Sequence, residues 1–259
     1  MGLEARELSV PIRSAGLDST EAEQFRVDGF LGPYRLCTPS EMERVREHID
    51  QEVLPSPGRN PGSTLHCRHL DQRVVYDLCA HPAILGRMSA LAGPDLVLWS
   101  SNFWLKNPGA CEIPWHQDYN YWPLEPVLNL SAWIAINEVT LDNACVQVIP
   151  GSHKKHLPSI GTPDGLDFQT MADPQFFDAS QAVDMELRPG EFFLFNERLL
   201  HRSAPNRSER RRLGLGVRIT LPFVRVYSDV RPLFPGHACI LVSGEDRFGI
   251  NRMQSPPQA

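Results

Sequence analysis

The sequence has no CxxC pair, no apolar run near the roughly 18 residues of a membrane span and no excess of basic charge. Its six cysteines (Cys37, Cys67, Cys79, Cys111, Cys145, Cys239) are scattered and read as free thiols of a reducing compartment. A formal net charge of −6 argues against a general nucleic-acid binder. The basic run Arg207 to Arg212, "RSERRR", is local. The opening "MGLEARELSVPIRS" has charges where a secretory signal needs an apolar core, and Arg6 stands where myristoylation needs Ser or Thr. The expectation is a cytoplasmic protein with a small-molecule substrate, no nucleic-acid partner and no membrane partner. Its oligomeric state is left open.

Proline is abundant, with 23 in 259 residues, which favours turns and edges over long helices. The length suits one domain spanning 1–259, with a mostly helical part over 1–93 packed on a β core. "TPSEMERVREHIDQEVL" places Met42, Val45, Ile49 and Val53 at helical spacing behind Thr38 or Ser40 as N-cap. "DQRVVYDLCA" has Asp71 as its cap candidate, and "HPAILGRMSALAG" starts with Pro82 and stops at Gly93. Between them, 55–70 is a Pro/Gly-rich loop.

Beyond Gly93 the texture is β-branched and aromatic. "DLVLWSSNFWLK", "VLNLSAWIAINEV", "ACVQVI", "EFFLFN" and "RLGLGVRITLPFV" are separated by "NPG", "LDN", "PGSH" and "RPGE". Antiparallel strands with short turns predict a mainly β fold with flanking helices, a barrel or double-sheet jelly roll. The stretch 157–182 lacks periodicity and reads as a surface loop or lid.

Within "IPWHQDYNYW", residues i and i+2 of a strand face one side, so His116 and Asp118 can aim at one point. His201, at the end of an apolar strand, is the third candidate ligand. Two histidines and a carboxylate leave three positions open on a metal, the arrangement of non-haem Fe(II) oxygenases. No HExxH helix marks a zinc hydrolase. A metal-dependent jelly-roll isomerase or hydrolase, and a non-catalytic ligand-binding barrel, stay open at this point.

"WHQDYNYW", "LSAWIAINEVTLDNACVQVIPGSHKK" and "PGEFFLFNERLLHRSAPNRSERRRLGLGVR" together resemble the phytanoyl-CoA dioxygenase family of Fe(II)/2-oxoglutarate-dependent oxygenases. The resemblance implies a double-stranded β-helix, a cupin-like core, in which His116, Asp118 and His201 hold Fe(II). It implies 2-oxoglutarate and O2 as co-substrates, succinate and CO2 as products, and hydroxylation of an unactivated C–H in a small or medium-sized metabolite. Relatives that halogenate carry a small residue in place of this carboxylate, so Asp118 points to oxygen transfer. "DNAC" departs from the family, which commonly has Gly where Ala144 stands; the departure is expected to touch a turn and not the chemistry.

The family places an arginine on the strand after the second histidine, and Arg212 matches it, with Arg218 as the fallback. Strand alternation agrees: Arg212, Gly214, Gly216 and Arg218 share a face, and the glycines are expected to leave room for a ligand. Ser203 resembles a position that assists the distal carboxylate, Asn102 one near the co-substrate, and Trp133 a tryptophan lining its site. Tyr119, Tyr121 and Trp122 are the candidates for the substrate mouth. His66 and Arg68 are candidates for an anionic group on the substrate.

Overall fold

The computed structural model describes residues 16–166, 168–230 and 233–258. Ten strands make two antiparallel sheets: β1 (Phe30–Arg35), β2 (Leu96–Lys106), β3 (Ile113–His116), β4 (Leu130–Ala135), β5 (Val146–Val148), β6 (Val183–Met185), β7 (Glu191–Asn196), β8 (His201–Ser203), β9 (Arg212–Thr220) and β10 (Ile240–Ser243). The larger sheet runs β1-β7-β4-β9-β2-β10 and the smaller β3-β8-β5-β6. The fold is the mainly β jelly roll that the run of short strands predicts.

Alternation along the strands gives each sheet two faces. Leu213, Leu215 and Val217 of β9 join Phe192, Leu194, Ala132 and Ile134 in one core with the helical layer. The opposite face of the large sheet meets the small one, with Trp133, Phe193 and Phe195 against Val146, Val148 and Met185. The functional side chains sit between the sheets.

Four helices cover the outer face: α1 (Ser19–Asp28), α2 (Pro39–His48), α3 (Arg73–Cys79) and α4 (Pro82–Ala92). Phe25, Met42, Val45, Val75, Leu78, Ile84 and Met88 are their buried side. Thr38 caps α2 in a reciprocal box with Glu41, and Asp18 does the same with Glu21 for α1, each worth about 1 kcal/mol. Asp71 does not cap α3. Its carboxylate is taken by Arg68 at 3.1 Å, and Gln72 holds the cap position without a side-chain bond. The helical texture of the first ninety residues also hides β1, an edge strand paired with β7.

The stretch 157–182 has its own hairpin, Ser159–Gly161 against Thr170–Ala172. Tyr121 Oη lies 2.9 Å from the Thr170 carbonyl, and the Phe168 ring sits 4.7 Å from that of His116.

Candidate metal centre

His116 closes β3, and Asp118 already begins a 3-10 turn, Asp118–Asn120. The alternation survives because Gln117 between them is extended, with φ −110° and ψ 126°. Gln117 points the other way and ties three backbone groups: its Nε2 donates to Lys155 O at 2.8 Å and Arg198 O at 2.6 Å, and its Oε1 accepts from Leu157 N at 2.9 Å. His201 opens β8 directly opposite His116 in the sheet register. The three candidate ligand atoms lie within 4.8 Å of one another. Asp118 Oδ1 is 3.6 Å from His116 Nε2 and 3.9 Å from His201 Nε2.

Each imidazole is held by the carbonyl two residues before it. His116 Nδ1 lies 2.8 Å from Pro114 O and His201 Nδ1 2.8 Å from Leu199 O, so each Nδ1 carries the proton and each Nε2 is free as a ligand. Burial, then the neighbouring His116, lowers the His201 imidazole to about 3 against the opposing pull of Asp118. It is therefore neutral at pH 7, the form that binds metals. Burial alone would raise the Asp118 carboxyl, but Arg218, His201 and His116 outweigh it and hold it well below the usual carboxylate range. Arg218 Nη2 stands 3.0 Å from Asp118 Oδ2 as an ion pair, without the alignment of a hydrogen bond.

At the other end of the same chamber lies Arg212, 1% exposed. Its Nη1 donates to Ala144 O at 2.6 Å, and its guanidinium lies 5.3 Å from the Trp133 ring centre. Burial lowers it to about 10, so it stays a cation at pH 7. Arg212 Nε and Ser203 Oγ are both buried without a hydrogen-bond partner. Lys106, paired with Arg212 across β2 and β9, spends its Nζ on the carbonyls of Ser203 and Ala204. A cation with an unused donor, a free hydroxyl and a nearby indole are groups whose chemistry suits a carboxylate. The donor set at the near end suits a divalent metal with open positions.

The remaining sequence candidates divide. Trp133, Ser203, Arg212 and Arg218 line the chamber with His116 and His201. Arg218 faces Asp118, at the far end from Arg212, so its place is beside a candidate ligand and not at the distal anchor. Asn102 lies on β2 opposite Gly216, next to the chamber residue Trp104 on that face, and is bridged by His66. The glycines of β9 do not leave room for a ligand. A Cβ on Gly214 would collide with the Trp133 indole, and one on Gly216 would crowd Trp104. Their bareness seats the indoles that form the wall.

Tyr121 stacks edge-on against His116 with ring centres 6.0 Å apart, and Trp122 lies beneath Arg218, 5.2 Å from ring centre to guanidinium. Tyr119 faces outward from them, covered by Arg198 and His156. Arg68 is not available to a substrate. It is fully buried, with Nη1 on the carbonyls of Val53 (2.5 Å), Ser56 and Thr64, Nη2 on Ser56 Oγ and Nε on Asp71. It knots the Pro/Gly loop, because a guanidinium's fork can satisfy several loop carbonyls at once. Ala144 also differs from expectation: its turn reaches the candidate chemistry, since its carbonyl holds Arg212 and its φ is +72°.

Alternation in "SNFWLK" puts Trp104 on the face of Asn102, and Trp104 does line the chamber; reasoning from the sequence missed Phe195 as a chamber wall. Alternation in "EFFLFN" was the available signal, since Phe193 and Phe195 share the inner face.

The sequence matches the phytanoyl-CoA dioxygenase (PhyH) family over residues 25–214. The chain belongs to this family. Among curated relatives, "Dioxygenase lolE1" of Epichloe uncinata is 31% identical over 64% of this chain and 61% of its own length. A "Probable phytanoyl-CoA dioxygenase" of Caenorhabditis elegans is 30% identical over 54% of this chain and 48% of its own. This PhyH chain thus spans about half to three-fifths of the curated relatives it matches. Among solved structures, CytC3 superposes with a TM-score of 0.74 at 26% identity, covering 93% of this chain and 94% of that one. The non-heme monooxygenase ThoJ superposes with a TM-score of 0.74 at 26% identity, covering 92% and 88%.

Proposed function

We propose that this PhyH-family chain is an Fe(II)/2-oxoglutarate-dependent oxygenase that hydroxylates an unactivated C–H of a small or medium-sized metabolite in specialised biosynthesis. The observation that carries the reading is the pairing of two unlike receptors in one chamber. A buried His–Asp–His set stands at one end, and a buried cation with an unused Nε, beside a free hydroxyl, stands at the other. A jelly-roll isomerase or hydrolase needs the first and has no use for the second.

His116, Asp118 and His201 would hold the metal, and Arg212 with Ser203 would hold the distal carboxylate of 2-oxoglutarate beside Trp133. CytC3 has been solved with Fe(II) and alpha-ketoglutarate, which supports the pairing. Iron with its keto-acid supplies O2 activation coupled to decarboxylation. The chain's own residues do the positioning. The Nδ1–carbonyl bonds turn both Nε2 lone pairs inward, and Arg218 restrains Asp118. Phe195, Trp104 and Phe168 exclude water. Tyr121 and Trp122 would meet the substrate. No side chain is required as a general base.

Among the described residues no helix is long and apolar enough to cross a membrane. The six cysteines are free and five of them are buried, which supports a cytoplasmic, reducing setting. The test is anaerobic addition of Fe(II) and then 2-oxoglutarate to metal-free protein, followed by visible absorption. A charge-transfer band in wild type that vanishes in His201→Ala is expected. Metal binding without the band would move the isomerase or hydrolase reading ahead.

A further inference from the structure

Lys106 and Arg212 stand opposite each other in the register of β2 and β9, so their side chains leave the same face of the sheet. Both are buried, 4% and 1% exposed. Among the described residues no carboxylate lies within ion-pair distance of either, and their donors go to backbone carbonyls. Two cations shut from water at this separation repel each other and lack a counter-charge. That works against folding unless one charge is shed or an anion arrives. An arginine cannot shed its proton; a lysine can.

The contacts of Lys106 are those of a neutral amine. Its Nζ donates to Ser203 O at 3.1 Å and to Ala204 O at 2.5 Å. Two N–H groups serve two carbonyls, whereas an ammonium carries a third N–H that finds no acceptor among the described residues. Arg212, Glu112 and Cys111 are the ionisable groups that face it. Burial, foremost, and then the charge of Arg212 lower the Lys106 ammonium to about 7, against the opposing pull of Glu112 and Cys111 from the turn before β3. Arg212 meanwhile keeps an Nε without a partner, and the Ser203 hydroxyl also has none.

We propose that binding of 2-oxoglutarate draws a proton from solvent onto Lys106, so that the distal end of the chamber carries one positive charge before binding and two once a carboxylate is in place. This rests on the reading of Arg212 and Ser203 as the anchor of that carboxylate. The arriving anion supplies the counter-charge that the Lys106 ammonium lacks, and Lys106 in turn strengthens the field in which the anion sits. Lys106 is a positioning residue, acting through the Ser203 carbonyl and through the charge it places beside Arg212. Because the bound anion raises the Lys106 ammonium above its free value, affinity is full below about pH 7 and declines as pH rises beyond it.

The test is calorimetric titration of 2-oxoglutarate into Mn(II)-loaded protein at pH 7.5, in HEPES and in Tris. The two buffers differ in ionisation enthalpy, so the difference in heat counts the protons exchanged. Wild type is expected to take up about one-half to one proton per co-substrate bound. Its affinity should weaken about tenfold or more from pH 6.5 to pH 8.5. The analogue 2-oxovalerate, which has the keto-acid end without the distal carboxylate, should bind with no proton taken up. Lys106→Arg, whose charge is fixed, should bind 2-oxoglutarate with no uptake and a flat pH profile, and Lys106→Met should also lose the uptake. Binding of 2-oxoglutarate without uptake, equal uptake with 2-oxovalerate, or uptake that survives both substitutions overturns the proposal and leaves the oxygenase reading standing. Failure of wild type to bind 2-oxoglutarate would overturn both. The two keto acids on wild type decide the matter even where a variant does not fold.

Discussion

Arg218 and Asp118 meet at 3.0 Å between the sheets, each side chain less than a tenth exposed. Removing one member of such a buried pair strands the other. Arg218→Met is expected to destabilise the metal-free protein by about 3–5 kcal/mol in urea unfolding. Adding Asp118→Asn to that variant should recover much of the loss. Additive losses in the double variant would show that the two groups do not support each other.

Arg212→Ala is expected to weaken 2-oxoglutarate by about 10–100-fold, since a hydrogen-bonded charge contact is worth about 1.5–3 kcal/mol. Ser203→Ala should cost less, about 2–10-fold. Both are read from anaerobic titration of the visible band. An unchanged affinity in Arg212→Ala would remove it as the distal anchor.

The Glu197 carboxyl makes stability depend on pH in a defined direction. Its folded value, about 7, lies above the ordinary 4.5, so the native state prefers the protonated form. The penalty is absent below about pH 4.5, grows between there and pH 7, and is complete above, on the order of 3 kcal/mol. Glu197→Gln should therefore unfold at higher urea than wild type at pH 8 and at about the same urea at pH 4. A gain independent of pH would contradict the titration.

Arg68→Met should destabilise the chain by about 3–5 kcal/mol, because it removes the shared donor of the Val53, Ser56 and Thr64 carbonyls and leaves Asp71 without its cation. Affinity for 2-oxoglutarate, measured below the new unfolding transition, is expected to stay unchanged. A selective loss of substrate turnover with intact stability would return Arg68 to the substrate site.

Ala144→Gly relieves a left-handed backbone at φ +72° and should stabilise by about 0.5–1 kcal/mol. The Arg212 bond to its carbonyl is made by the backbone and should survive, so co-substrate affinity is expected to hold. Reduced affinity would mean that the methyl group itself steadies Arg212.

Period and punctuation made the elements readable in the chain. Thr38, Pro82 and Gly93 mark helix ends because capping is local chemistry, and the faces of β9 follow from a period of two. The aim of His116 and Asp118 was legible for the same reason, although it depended on Gln117 remaining extended. Long-range fates were not. Whether Arg68 is a loop knot or a ligand contact is decided by carbonyls 4 to 15 residues away. Whether the glycines of β9 are empty space or seats for indoles depends on strands β2 and β4. Arg212 and Arg218 carry the same charge on the same face; only their position along the barrel separates a free receptor from an arginine engaged with Asp118.

The twin contacts from His116 to Pro114 and from His201 to Leu199 each reach back only two residues along the chain. Neither ring waits on the other, or on a metal, to find its angle. The two imidazoles are thus set before any ion arrives, and with Asp118 against Arg218 a metal would meet a receptor with little reorganisation left to perform. Entry should then be governed by how fast an ion sheds its water and passes Phe168, with the protein backbone as a spectator. Hydrogen exchange in β3 and β8 should accordingly be almost as slow without metal as with it.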